Sequence, residues 1–186
     1  MSRKPRIWYP GAMYHITCRG NRKTDIFHDR EDRDTYLTLL EKTRERYPFY
    51  LLSYCLMTNH IHLQSKTIYT KSNVIMQYLN SLYASYINKK YDYAGHVFQG
   101  RYGAELTDSM KYLLDVSRYI HLNPVEAGMI SSPEQYQWSS CRAYTTNEKN
   151  PHVQTSHILS FFPNPQKQNY KLFIEREGED NSINCL

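Results

Sequence analysis

The chain has 186 residues, 40% of them hydrophobic and 22% charged, a balance that argues against wholesale disorder and predicts a folded domain with its own core. No apolar segment approaches the roughly 20 residues needed to cross a bilayer, and no apolar stretch follows the basic N-terminus as in a secretory signal, so we expect a cytoplasmic protein. The formal net charge of +5 favours polyanionic partners, although many ordinary proteins are this basic.

The first third of the chain alternates between strand and helix patterns. Residues 14–19 alternate apolar and polar side chains, which predicts a strand with one buried face. Residues 32–47 place apolar side chains at helical spacing ahead of a proline, so we expect a helix there. The aromatic and aliphatic residues 49–57 predict a second strand. A tight turn at residues 58–59 would lead into a third strand over residues 60–66, antiparallel to the second.

The middle of the chain adds a helix, a strand and another helix. Residues 70–91 carry apolar side chains at helical spacing. Residues 95–106 predict a fourth strand whose glycines indicate a bulge or a close approach of two backbones. A further helix is expected from about Thr107 to Leu122. This order predicts an α+β, ferredoxin-like (split βαβ) antiparallel sheet with helices on one face, central first and third strands, and an extra C-terminal helix that carries Tyr119.

The last third of the chain is less regular. Residues 131–145 predict a short helix, and residues 165–177 predict a terminal helix after a linker marked by prolines. We expect the segment 178–186 to be mobile. The cysteines are widely separated: Cys18, Cys55, Cys141 and Cys185. Because no close pair could clamp zinc, we expect reduced thiols.

Tyrosine is frequent, with 18 residues in the chain, and aromatic rings alternate with arginine and lysine in and around segments such as CRGNRK and FQGRY. Rings that stack on bases, next to cations that contact phosphates, suit single-stranded nucleic acid. Tyrosine also fills protein cores and interfaces, so the composition alone leaves both interpretations open.

The segment MTNHIHLQ places His60 and His62 two residues apart on the predicted third strand. Side chains at this spacing point to the same face of a sheet, so both imidazoles could bind one divalent ion. Two protein ligands seldom hold a metal, and a third group must come from elsewhere in the fold. Taken alone, such a pair is more often exposed or hydrogen-bonded than part of a metal site.

Tyr119 and Asn123 lie one turn apart on one stripe of the predicted last helix. If this stripe meets the sheet face that carries His60 and His62, the phenol and the amide oxygen approach the metal together. A divalent ion there could orient a phosphodiester, and the phenol could displace one ester to leave a phosphotyrosine. Two other interpretations stay open: Tyr119 as a packing residue, and Asn123 as the N-cap of a helix whose first residue is proline.

Three motifs in order, MTNHIHLQ, HVFQGRY and YIHLNPVEAG, closely resemble those of the HUH single-tyrosine transposases in the insertion-sequence-200-like superfamily. Within that superfamily they are most similar to the REP-associated tyrosine transposases. The resemblance implies a bacterial enzyme in the cytoplasm, associated with the nucleoid, that binds DNA hairpins. It would cleave single-stranded DNA beside them with Mg²⁺ or Mn²⁺ and attach covalently to the 5′ phosphate.

The resemblance also implies roles for individual residues. His60, His62 and Asn123 would be the metal ligands, and Tyr119 would be the nucleophile. DNA contacts would come from a basic loop after the first strand and from one arginine of the HVFQGRY motif: Arg19, Asn21, Arg22, Lys23 and Arg101.

The resemblance covers roughly residues 10–145, which would form the catalytic domain, and leaves residues 146–186 as a partly flexible C-terminal extension. Two positions depart from the family pattern. Thr58 stands where relatives commonly have proline, and Glu126 replaces a frequent arginine and so removes one phosphate contact. Relatives occur as swapped homodimers or as monomers, and the sequence leaves both arrangements open.

Two alternatives belong to other classes. A non-catalytic module of ferredoxin-like fold would bind single-stranded nucleic acid through sheet aromatics such as Tyr54, Phe98 or Tyr102. The histidines on the third strand count against that alternative. A related HUH replication or relaxase nuclease would share the chemistry and differ in its substrate.

Overall fold

A computed structural model describes residues 7–176. Within these residues, four antiparallel strands form one sheet in the order β2-β3-β1-β4. The strands are β1 (Met13–Arg19), β2 (Phe49–Leu56), β3 (His60–Thr67) and β4 (Gly103–Leu106). β1 and β3 are therefore central, as the sequence predicts.

The helices of the described residues are α1 (Arg30–Arg46), α2 (Ser72–Lys90), α3 (Met110–Glu126), α4 (Cys141–Thr145), α5 (Ser156–Leu159) and α6 (Gln166–Glu175). Short 3-10 helices cover Asn21–Lys23 and Pro133–Gln135. This order confirms the predicted α+β, split βαβ fold with an extra helix, α3, after the fourth strand. In the part of the chain described, no helix is both long and apolar enough to span a membrane.

The predicted fourth strand is shorter than expected. Of residues 95–106, only β4 is extended, because Gly95 and Gly100 take φ angles of 147° and 67° and interrupt the strand. A Cβ atom on Gly103 would lie 2.3 Å from the Oγ1 atom of Thr17 on β1. The close approach at Gly103 is thus made by the side chain of Thr17, the residue opposite it in the register of β1 and β4, and not by a second backbone.

One face of the sheet carries the apolar core. Ile61 and Leu63 of β3 and Tyr14 and Ile16 of β1 point to this face, and each is at most 2% exposed. The helices α1 and α2 cover this face with their own apolar side chains. The burial of these side chains supplies the main stabilisation of the domain.

A charged cluster joins the start of α1 to the end of α2. The fully buried carboxylate of Asp32 accepts hydrogen bonds from the Lys90 ammonium at 2.8 Å and from the hydroxyls of Tyr86 and Tyr91 at 3.0 and 2.9 Å. Together with Asp29 it also forms the capping box of α1. Burial raises the pKa of Asp32, but these hydrogen bonds outweigh burial and lower it below its ordinary value.

The opposite face of the sheet is polar and is covered by α3. Gln64 of β3 donates from Nε2 to the Leu113 carbonyl at 2.7 Å and accepts from the Ser53 hydroxyl at 2.8 Å. Val116 and Ile120 of α3 are fully buried against β2. These contacts fix α3 on the face to which the even-numbered residues of β3 point.

α3 extends beyond its predicted end at Leu122. It continues through Pro124 to Glu126, and the Ala127 N–H donates to the Asn123 carbonyl at 3.0 Å. Asn123 therefore lies inside a helix, and its interpretation as an N-cap is wrong. The buried face of α3 continues through Asn123 and Pro124, and this packing outweighs the cost of a proline in the last turn.

The chain after α4 returns to α3. Tyr170 of α6 is fully buried, and its hydroxyl hydrogen-bonds to the Ser117 hydroxyl at 2.6 Å and to Nδ1 of His121 at 2.8 Å. The predicted terminal helix is thus present as α6 and packs against α3. The segment 178–186, expected to be mobile, lies outside the described residues.

The cysteine prediction can be compared with the structure at three positions. Cys18, Cys55 and Cys141 are buried and carry free thiols. Burial raises the pKa of Cys18 and of Cys141 to about 12, so both stay protonated and unreactive at neutral pH. Cys185 lies outside the described residues.

Candidate active site

β3 places His60 and His62 on the sheet face that α3 covers. Ile61 between them points into the apolar core on the other side, so the two imidazoles share one face as predicted. Their ring centroids are 4.9 Å apart. His60 begins the strand and is half-buried, whereas His62 is only 3% exposed.

Two asparagines contact the ring nitrogens of His60. Asn59 donates from Nδ2 to the Lys23 carbonyl at 3.2 Å, so its Oδ1 faces His60 Nδ1 at 2.7 Å as an acceptor. A neutral His60 ring therefore carries its proton on Nδ1, and Nε2 presents a lone pair to Oδ1 of Asn123 at 3.2 Å. Adjacent ligands of an octahedral cation are about 3 Å apart when each bond is about 2.1 Å. The two atoms have the spacing that a shared cation requires.

His62 adds a second imidazole on the same face of the sheet, with its ring centroid 4.9 Å from that of His60. Its Nδ1 lies 3.0 Å from Nε2 of His15, while its own buried Nε2 has no hydrogen-bond partner among the described residues. Buried polar atoms are nearly always paired, so this nitrogen fits a metal ligand. Among residues 7–176, no group of three or more His, Cys, Asp or Glu side chains is arranged to hold a metal. An amide oxygen can also bind a cation, and Oδ1 of Asn123 is the one that lies against His60.

α3 brings Tyr119 to the histidines. Its ring lies edge-on to His62 with a centroid distance of 5.3 Å, and its centroid is 5.8 Å from that of His15. Tyr119 is half-buried, and Asn123, one turn later, is 8% exposed. The structure thus brings together the four side chains that the sequence suggests for metal binding and nucleophilic attack.

Burial keeps the imidazoles of this site uncharged at neutral pH. It lowers the pKa of His60, a shift that the Asn123 amide opposes and the charge of Arg19 assists. It lowers the pKa of His62 further, and the neighbouring histidines add to the effect. The pKa of His15 falls to about 4, also through burial. Neutral imidazole is the form that binds a metal ion.

The basic loop lies at the same end of the sheet. Arg19 ends β1 directly opposite His60 in the strand register, and the 3-10 helix Asn21–Lys23 follows. Asn21 is half-buried, whereas Arg22 and Lys23 are exposed and have φ angles of 52° and 62°. Left-handed backbone at residues other than glycine is uncommon and is concentrated at functional sites. The loop therefore holds its cations in a constrained conformation next to the histidines.

The loop before β4 runs beside the basic loop. The Gln99 N–H donates to the Arg19 carbonyl at 2.8 Å. A Cβ atom on Gly20 would lie 2.0 Å from the Thr24 carbonyl oxygen, so the turn between Arg19 and Thr24 requires glycine. Arg101 is exposed two residues beyond Gln99. The cations predicted to contact DNA are thus displayed near one end of β1.

The aromatic side chains of the alternative binding module do not line an open sheet surface. Tyr54 and Tyr102 are 2% and 8% exposed, and Phe98 packs against the apolar core. The Tyr102 hydroxyl is hydrogen-bonded to the Ser72 hydroxyl at 3.2 Å. Tyr54 and Tyr102 are core residues and Phe98 is half-buried against the core, so the interpretation of the three rings as an open stacking surface is wrong.

The sequence predictions missed two residues of the site, His15 and Asn59. The alternation of β1 places His15 on the polar side of that strand, which is a usable signal. Its contact with His62 depends on the register of β1 against β3, in which Thr17 lies opposite His62. Asn59 was expected only as a turn residue, and its contact with His60 follows from the shape of that turn.

Comparisons of the sequence with known proteins point to one family. The family described as "Transposase IS200 like" matches residues 9–123, which include β1 to β4 and most of α3. A protein of Haemophilus influenzae, provisionally named a REP-associated tyrosine transposase, is 26% identical over 155 residues that cover 75% of this chain and 85% of that protein.

The comparison of solved structures gives the same fold. A REP-associated tyrosine transposase bound to a REP hairpin has a TM-score of 0.66 and 15% identity, covering 75% of this chain and 82% of that chain. A protein of Deinococcus radiodurans R1, provisionally named a transposase, matches with a TM-score of 0.46 and 12% identity, covering 69% of this chain and 98% of that chain. The family match extends over more than half of the sequence, and the chain belongs to the IS200-like transposase family.

Proposed function

We propose that this protein is a metal-dependent DNA transposase that cleaves and rejoins single-stranded DNA beside hairpins through a phosphotyrosine on Tyr119. The observation that carries the proposal is the position of Tyr119, 5.3 Å between ring centroids from His62, whose buried Nε2 has no hydrogen-bond partner. A tyrosine that only packs does not need a neighbouring nitrogen with a free lone pair. A nucleophile for phosphoryl transfer needs a cation close by, and such a nitrogen can bind one.

The cofactor in this proposal is Mg²⁺ or Mn²⁺, held by Nε2 of His60, Nε2 of His62 and Oδ1 of Asn123. When bound, the cation would polarise and orient one phosphodiester group. The protein contributes a fixed donor set, since Asn59 holds His60 and α3 holds Asn123. The mixed nitrogen and oxygen ligands suit Mn²⁺ at least as well as Mg²⁺.

Tyr119 is the proposed nucleophile. Its phenol oxygen attacks phosphorus and forms a tyrosine O–P bond, while the bond from phosphorus to the 3′ oxygen breaks. The phenol loses its proton, and the leaving 3′ oxygen gains one. The product is a 5′-phosphotyrosine with a free 3′ hydroxyl. A second 3′ hydroxyl can reverse the step, so rejoining needs no ATP.

The proposed partner is a DNA hairpin with adjoining single-stranded DNA. Exposed Arg19, Arg22, Lys23 and Arg101 lie near the histidines and would contact phosphates there. The solved relative bound to a REP hairpin supports this substrate class. Tyr119 lies beside the histidines of its own chain, which supports a site built within one chain. Action on DNA would place the protein in the cytoplasm at the bacterial nucleoid.

The test is covalent capture of DNA by the full chain. Hairpins with single-stranded flanks, taken from the surrounding genome, are incubated with Mn²⁺ and resolved on a denaturing gel. We expect Tyr119→Phe to bind the hairpin in a mobility-shift assay and to form no covalent species. Tyr112→Phe is the matched control, because Tyr112 lies on α3 but its hydroxyl bonds to Glu105 at 2.6 Å. A full-strength covalent adduct from Tyr119→Phe would refute the assignment of Tyr119 as the nucleophile.

A further inference from the structure

We propose that His15 is a positioning residue that fixes the tautomer of His62 and thereby leaves His62 Nε2 free to bind the metal. This inference rests on the metal site proposed above. It concerns a residue of β1 that lies outside the predicted ligand set.

The contact between the two rings carries the inference. His15 Nε2 and His62 Nδ1 are 3.0 Å apart, and the rings stack with centroids 5.2 Å apart at an interplanar angle of 22°. The two residues are 1% and 3% exposed. A hydrogen bond between two neutral imidazoles needs one N–H donor and one lone pair, so the proton position on one ring determines that on the other.

Only one of the two arrangements leaves a metal ligand. If His15 Nε2 accepts, His62 carries its proton on Nδ1 and presents a lone pair at Nε2. If His15 Nε2 donates, the proton of His62 moves to Nε2, where no hydrogen-bond partner is present to accept it. That arrangement would leave a buried donor unsatisfied, which is unfavourable. The geometry therefore favours His15 as the acceptor.

The ring nitrogens of His60 have a similar arrangement of partners. Its Nδ1 faces the amide oxygen of Asn59 at 2.7 Å, which can only accept, and its Nε2 faces Asn123. In both histidines of the pair, Nδ1 thus faces an orienting partner and Nε2 is the nitrogen left for a metal. Metal-binding histidines in general donate the other ring N–H to an acceptor that fixes the ring. For His62 that acceptor is an imidazole, which holds the ring by both stacking and hydrogen bonding.

The experiment measures Mn²⁺ binding by calorimetry on the full chain without DNA, so it does not depend on cleavage. We expect His15→Phe, which keeps a planar ring and removes the acceptor, to weaken Mn²⁺ binding by about 10- to 100-fold. His15→Gln restores an acceptor and should recover most of the affinity. His96→Phe, at an exposed histidine of the loop before β4, is the matched control and should bind as the wild type does.

Nitrogen NMR of the histidine rings without metal reports the tautomer of His62 directly. That tautomer should not change if His15 has only a structural role. The wild type and His15→Gln should show His62 protonated on Nδ1, and His15→Phe should shift the proton toward Nε2. Unchanged affinity and tautomer in His15→Phe would overturn the inference, as would equal losses in the Phe and Gln variants. His62→Ala separates the two proposals, since undiminished Mn²⁺ binding in that variant would refute the metal site itself.

Discussion

Two buried polar clusters lie on opposite sides of the sheet and differ in how fully they are hydrogen-bonded. In the Asp32 cluster, the carboxylate accepts from Lys90, Tyr86 and Tyr91 and from backbone N–H groups. In the histidine cluster around His62, one ring nitrogen is buried with no hydrogen-bond partner. The protein supplies hydrogen-bond partners to the Asp32 carboxylate, whereas the lone pair of His62 Nε2 is left for a ligand.

Under the proposed function, this difference distinguishes a structural polar cluster from a catalytic one. An unpaired buried polar atom costs about 1–3 kcal/mol, a cost that folding alone gives no reason to keep. The saturated Asp32 cluster joins α1 to α2 and caps α1. The histidine cluster lies between β3 and the tyrosine of α3. We therefore expect mutations in the first cluster to change stability and mutations in the second to change activity.

The largest effect is expected for His60→Ala. Loss of a proposed metal ligand should reduce covalent adduct formation with Mn²⁺ at least about 100-fold, since losing even an outer partner of a ligand costs about 10- to 100-fold. Because His60 is half-buried at a strand end, thermal unfolding should change little. Adduct yield on denaturing gels, together with a melting curve, checks both expectations. His96→Ala serves as the control, and normal cleavage by His60→Ala would remove that residue from the site.

The opposite pattern is expected for Asp32→Ala. Its removal takes away the carboxylate that accepts from the Tyr86 and Tyr91 hydroxyls and breaks the capping box of α1, although Lys90 keeps Asp29 and Glu31 at 2.7 and 2.9 Å. Loss of these buried hydrogen bonds should cost about 1–3 kcal/mol. Urea unfolding should show this loss, while adduct formation per folded molecule stays normal at low temperature. Asp34→Ala is the control, because Asp34 is exposed and its carboxylate pairs with the exposed Arg30 at 3.5 Å, so its loss should cost less than about 0.5 kcal/mol. Equal stability of the two variants would contradict the comparison.

The residues of the histidine cluster could be predicted from the sequence only in part. The i, i+2 spacing of His60 and His62 and the i, i+4 spacing of Tyr119 and Asn123 follow from strand and helix geometry, and the structure brings these four residues together. Contacts across the sheet, such as His15 with His62, depend on strand register, which no local pattern specifies. The end of α3 was misplaced because local proline chemistry was outweighed by tertiary packing.

The loss of folding stability at acid pH should depend on Asp32. Its folded pKa is lowered by hydrogen bonds that outweigh burial, so below the ordinary value of about 4 the unfolded chain binds a proton more readily than the folded protein. Stability from this group is complete above that pH and is lost as the pH falls through the lower folded value. Urea midpoints at pH 6, 4 and 3 should fall less steeply in Asp32→Asn than in the wild type. Parallel profiles in the two proteins would show that another carboxylate controls the loss of stability at acid pH.

The smallest effect is expected in the basic loop beside the histidine cluster. Lys23→Gln removes an exposed cation near His60, and Lys42→Gln removes an exposed cation from α1, on the other side of the sheet. Both changes lower the net charge equally. If only the overall charge attracts DNA, the two variants should lose hairpin affinity equally. If Lys23 contacts a phosphate, hairpin affinity should fall a few-fold in Lys23→Gln alone. The slope of log affinity against log salt should then decrease by about 0.7–0.9 in that variant. Identical slopes for the two variants would mean that Lys23 contacts no phosphate, and the DNA surface would have to be sought elsewhere around the histidines.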